Sequence, residues 1–198
     1  MDLSELLNSP VGQSIVKSVA GQLGMNEGEA SGVVNMAVPA ILAGMTRNAQ
    51  SRDGAESLNK ALESKHDGSL LNNLSGMLQG HTEELQQDGN GILGHIFGNK
   101  LPAVEQGISQ KTGVSMNKIA PLLAMLAPIV MAYLGKEKRQ ANTGAGGLGD
   151  LLGGLLGNSQ QGKSGGGIMD MLGSALDKDG DGNPLNDILG GFLGGRSF

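Results

Sequence analysis

The sequence predicts an all-α protein: a multihelical single domain over residues 1–140 with an internally duplicated helix pair, followed by a glycine-rich tail over residues 141–198 with short helices. Three observations carry this. The alternation of apolar and polar residues that marks a strand persists nowhere, whereas apolar residues recur at helical spacing. Helix starts are marked by capping residues. Glycine use changes after the basic cluster Lys136-Glu137-Lys138-Arg139, with 17 glycines in residues 1–140 and 18 in the shorter remainder.

In chain order, the spacing predicts helices near 3–8, 10–23, 27–47, 54–65, 69–79, 91–98, 102–112 and 116–139. Asp2 with Glu5, Asn26 with Glu29 and Asp53 with Glu56 have cap-x-x-Glu spacing. The first side chain accepts from a free backbone N–H and the glutamate reaches back. Ser9 before Pro10 is a further start, since proline lacks a donor the first turn leaves unpaired anyway.

Gly24–Met45 aligns with Gly113–Leu134 at an offset of 89 residues. Gly24 meets Gly113, Met36 meets Met125, Pro39 meets Pro128 and Ala43 meets Ala132. Upstream, Ile15 and Val19 meet Val104 and Ile108. Each copy reads as helix, glycine-ended turn, capped helix, then a proline inside an apolar helix. Glycine supplies the left-handed cap, and the proline removes a backbone hydrogen bond. Two such apolar helices are expected to pack together at the centre of the domain.

Composition narrows the function. Aromatic residues make up 2% of the chain, so the core must be aliphatic, and ten methionines suit adaptable packing. Cysteine is absent, which excludes disulfides, thiolate metal sites and cysteine nucleophiles. The net charge is -5, without the basic footprint of a nucleic-acid binder. The N-terminus shows no secretory pattern. Ile119–Leu134 has sixteen residues and two prolines. That is short of the ~20 residues of a spanning helix, so a buried core helix is expected, not a membrane segment, and a cytoplasmic location.

Several motifs invite a chemical reading. "GNSQQGKS", Gly157–Ser164, fits the phosphate-loop pattern at every fixed position. A phosphate loop needs a strand to deliver it and a helix to open within it. Here a leucine-rich helical pattern precedes it and three glycines follow, so a flexible linker is expected. Gly89–Gly94 and Gly144–Gly149 fit the dinucleotide pattern, and neither follows a strand. His81–Glu84 reads as an exposed helix start rather than a metal site. No catalytic residues can be assembled from spacing.

"DKDGDGNPLND", Asp177–Asp187, is the one candidate metal loop. Asp177, Asp179 and Asp181 have the 1, 3, 5 spacing of a calcium loop, Gly182 takes the sharp turn, and Asn183 offers a backbone carbonyl. The closing glutamate is replaced by Ile188, with Asp187 one residue early. Two readings stand: a plain Asp/Gly turn, or a weak calcium site closed by Asp187. No other cofactor is expected.

The tail repeats a short amphipathic pattern in "GGLGDLLGGLLGN", "GGGIMDMLGSALD" and "GNPLNDILGGFLGG", and "DGNGILGHIFGN" at Asp88–Asn99 resembles it. Each is too short to stand alone as a helix in water. Each apolar face therefore needs a partner. A membrane-surface helix carries a basic polar face, whereas this tail has Lys163, Lys178 and Arg196 against six aspartates. Protein contacts, including self-association, are expected.

Val38–Leu74 carries Pro39, Asn48-Ala49, Gly54-Ala55, Leu58, Ala61-Leu62 and His66-Asp67-Gly68. On these residues the chain resembles an uncharacterised bacterial family, the YidB-like domain of unknown function 937. The resemblance implies a multihelical, loosely homeodomain-like arrangement and carries over no catalytic residue. A DNA reader places polar and basic side chains along its recognition helix. Both second helices here are apolar nearly all round, and Glu27 and Glu29 sit where phosphate would approach. The expected role is a non-enzymatic interaction or self-association module. The alternatives are a weak calcium-binding module and a helical DNA-associated protein.

Overall fold

Ser9 opens the first helix of the computed structural model, which describes residues 9–159. Its hydroxyl accepts from the Gly12 N–H at 3.1 Å, and Pro10 fills the first helical position. Helix α1 (Pro10–Leu23) ends on Gly24, whose φ of 57° is the left-handed cap a Cβ would strain. Helix α2 (Glu27–Asn48) starts with a complete capping box: Asn26 accepts from the Glu29 N–H at 2.8 Å, and Glu29 accepts from the Asn26 N–H at 3.0 Å. The helix expected at 3–8, with its Asp2 cap, lies outside the described residues.

Helix α3 (Arg52–Ser64) begins two residues before its expected start, because Ser51 and not Asp53 caps it. The Ser51 hydroxyl accepts from the Gly54 N–H at 3.1 Å. The helix expected at 69–79 divides into α4 (Ser69–Asn72) and α5 (Leu74–Gly80) at Asn73, whose backbone leaves the helical region. Leu74 and Leu78, four residues apart, are buried on one face of α5. The Leu78 carbonyl accepts from the Gln22 side-chain amide, tying α5 to α1.

Helix α6 (Thr82–Phe97) corrects the helix expected at 91–98. It starts nine residues earlier and runs through "DGNG", which reads locally as a turn. Helix α7 (Leu101–Thr112) ends on Gly113 at φ 72°. Helix α8 (Met116–Gln140) is the spine. Every residue from Leu122 to Gly135 is buried, on all faces of the helix. Its largest interface is with α6, and it also meets α2, α3, α4 and α7. Fully burying a leucine such as Leu122 or Leu123 stabilises the fold by about 1.5–3 kcal/mol. Among the described residues there is no strand.

Helix α8 closes with Asn142 at φ 49°, a left-handed position asparagine tolerates, and the Thr143 N–H donates back to the Lys138 carbonyl at 3.1 Å. A 3-10 turn at Ala145–Gly147 leads into α9 (Leu148–Ser159). This helix folds back on α2 and α3.

Pairs α1–α2 and α7–α8 each consist of a helix, a left-handed glycine and a second, buried helix with an internal proline. Pro128 donates no hydrogen bond to the Ala124 carbonyl four residues back. That carbonyl faces α6, where Gly89 lies against it so closely that a Cβ would overlap the Ala124 oxygen.

Candidate functional site

The loop between α3 and α4 carries His66-Asp67-Gly68, and each residue has a separate task. Asp67 accepts from the Ser69 N–H at 3.0 Å and pairs with Arg139 at 3.3 Å. Its bonds to Ser69 hold the carboxyl below the usual range, and Arg139 adds to this. Gly68 takes φ 96° where the chain turns into α4. The His66 carbonyl rests on Gly135 of α8, where a Cβ would collide with it. Beside them the buried Lys138 donates to Glu63 at 2.6 Å. That bond, with a second from Asn59, depresses the Glu63 carboxyl.

Anchored this way, the His66 ring enters a cleft of about 380 Å³ between the end of α2 and helices α3, α6 and α8. Met45, Leu58, Ile92, Ile96 and Met131 supply apolar walls. The polar end is His66, Asp88 and Lys65. The His66 side chain is 5% exposed, with Nε2 3.6 Å from Asp88 Oδ2. Its Nδ1 is buried without a hydrogen-bond partner. Burial lowers the imidazole's proton affinity most, Asp88 works against this, and Lys65 adds to it. The ring is therefore neutral at pH 7. At the other end, the Asn48 side-chain amide donates to the His95 carbonyl at 3.3 Å and joins α2 to α6. The cleft is suited to hold an apolar group against a neutral imidazole.

A second surface is already filled. Leu148, Leu152 and Leu155 of α9 are buried, whereas Gly149, Asp150, Gly153 and Gly154 are exposed. Three leucines spaced i, i+4, i+7 thus form the face that α9 presents to α2 and α3.

The other motifs fall as follows. Gly157–Ser159, the first part of the phosphate-loop match, ends helix α9, so a helix and not a strand leads into it. Residues 160–164 lie outside the described residues. Gly89–Gly94 is inside α6. Gly144–Gly149 spans an extended residue, the 3-10 turn and the start of α9. His81 stands at the start of α6, with Nδ1 2.9 Å from Glu84 Oε1. Asp177, Asp179, Asp181, Asn183 and Asp187 lie outside the described residues. Among the described residues no group of three or more His, Asp or Glu side chains could hold a metal. Helix α8 is long and apolar enough to cross a membrane, yet 83% of its most apolar window is buried inside the fold.

Sequence reading missed the cleft. Its signal is split: His66 stands in the His66-Asp67-Gly68 motif, whereas Asp88 precedes the helix expected at 91–98 and faces His66 only from the longer α6.

Fold and cleft together define an all-helical domain built around one buried spine. The chain belongs to the family described as "Bacterial protein of unknown function (DUF937)", whose model matches residues 5–137. No curated protein and no solved structure matches the chain. Helix α9 lies beyond the matched residues.

Proposed function

We propose that the chain is a non-enzymatic interaction module that receives short leucine-faced segments, its own and those of a protein partner or a second copy. One observation carries this reading: α9, from the glycine-rich part of the chain, buries Leu148, Leu152 and Leu155 against α2 and α3. A segment of that kind cannot hold its helix alone in water, so the seat gives it its structure. The burial of α8 supports an aqueous setting over a membrane one. The paired Gly24/Pro39 and Gly113/Pro128 geometries support descent of the two central helix pairs from one duplicated unit.

Light scattering on the full chain tests the reading against the Leu148→Asp/Leu152→Asp variant. The wild type is expected to associate as concentration rises, and the variant to change that association. Identical mass profiles, together with identical capture of partners by both chains, would remove the reading.

A second reading, weak calcium binding through Asp177, Asp179 and Asp181, is favoured by their 1, 3, 5 spacing ahead of Gly182.

A further inference from the structure

Helix α9 begins with "LGDLLGGLLG", Leu148–Gly157, and the chain repeats this 37 residues later as "LNDILGGFLG", Leu185–Gly194. Seven of the ten positions are identical, and Leu151→Ile188 and Leu155→Phe192 keep apolar character. The match follows what the seat uses. Leu148, Leu152 and Leu155, the buried positions, correspond to Leu185, Leu189 and Phe192. Asp150 and the two central glycines, which are exposed in α9, correspond to Asp187, Gly190 and Gly191. A flexible linker would have no reason to preserve the aspartate, the glycine pair and the leucine register together.

Each chain thus holds one filled seat and two segments of the same pattern. Helix α9 is tethered to α8 by residues 141–147 only, so in its own chain it has the advantage of the shorter loop. In its own chain the α2–α3 seat is taken by α9. We infer that Leu185–Gly194 of a second copy takes the α2–α3 seat in exchange with α9, which makes the tail a self-association device. This rests on the interaction reading above and names its partner. The attachment is heterologous, tail to seat, so copies related by a closing rotation form rings or pairs and others form chains.

A fluorescent peptide spanning residues 183–198 tests it, titrated into the full chain by anisotropy. In the wild type, α9 occupies the seat and lowers the competent fraction. Binding to the Leu148→Asp/Leu152→Asp/Leu189→Asp chain, where the seat is vacated and the chain's own second segment cannot take it, should therefore be tighter by about tenfold or more. The same peptide with Leu189→Asp should not bind. Circular dichroism must first show that the variant chain loses no more helix than α9 contributes. As a measurement that does not depend on that variant, Leu189→Asp in the otherwise wild-type chain should abolish concentration-dependent association in sedimentation velocity. Absence of binding to the vacated chain, equal binding of the Leu189→Asp peptide, or unchanged sedimentation of the Leu189→Asp chain would each overturn the inference. Unchanged sedimentation of the Leu189→Asp chain, together with a protein partner captured better by the α9 variant than by the wild type, would overturn it while leaving the interaction reading intact.

Discussion

Gly89 of α6 lies directly on the carbonyl of Ala124 in α8, the acceptor left without its helical hydrogen bond by Pro128. A bare Cα at Gly89 lets the two helices approach and offers C–H groups to that oxygen. The relationship explains why a glycine sits in the middle of a helix at a cost in propensity.

Gly89→Ala should therefore destabilise the domain by about 1–3 kcal/mol, since overpacking against a backbone atom exceeds the propensity gain. Gly91→Ala, two residues on and facing open space, should stabilise by about 0.5–1 kcal/mol. Urea midpoints of the two variants check this. Equal shifts of one sign would show that α6 and α8 do not meet at Gly89.

His66 sets a pH dependence with a definite sign. Its folded pKa lies below 6.5. The unfolded chain therefore binds the extra proton first, and stability falls as pH drops through about 6.5, levelling off below the folded pKa. Asp88→Asn removes the charge that raises the folded value, so the fall should steepen and extend to lower pH. His66→Phe should flatten the profile between pH 7 and 5. A wild-type chain whose urea midpoint rises on acidification across that range would contradict the cleft geometry.

Lys138 is buried, and its bond to Glu63 compensates that burial. Removing one partner of such a pair costs more than replacing the buried charge by an apolar group. Glu63→Gln should thus lower the thermal midpoint more than Lys138→Met does. The reverse order would mean that the ammonium reaches solvent.

The phosphate-loop match predicts nothing functional. Lys163→Ala should leave ATP affinity where the wild type has it, at the level of non-specific binding, as read by equilibrium dialysis. Specific ATP binding lost in that variant would restore the nucleotide reading. For the Asp-rich loop, calorimetry of the full chain should show weak calcium binding, near ~10⁻⁴–10⁻³ M, that Asp177→Asn/Asp179→Asn/Asp181→Asn removes. Equal heats from both proteins would leave a plain turn.

Legibility of the fold followed the range of each interaction. The caps at Ser9 and Asn26 and the left-handed glycines at 24 and 113 depend on neighbours within one turn, and the sequence displays them directly. Ser51 and Asp53 both suit a cap locally, and only the start of α3 chooses between them. Local pattern leaves Gly89 outside the helix expected at 91–98, because the reason for Gly89 is the Ala124 carbonyl, 35 residues away. The same distance hid the site: Asp88 meets His66 only once α6 is drawn as a full helix. The seat of α9 was half legible. Its leucine face and its need for a partner follow from spacing and length, but which surface receives it depends on the packing of α2 and α3.

The central claim is that α2 and α3 form a seat for a leucine-faced segment, and amide hydrogen exchange read by mass spectrometry on the full chain tests it most directly. With Leu148→Asp/Leu152→Asp, peptides of α9 and the facing parts of α2 and α3 should lose protection, while the α6–α8 spine keeps its own. Protection in α2, α3 and α9 unchanged by the substitutions would contradict the account.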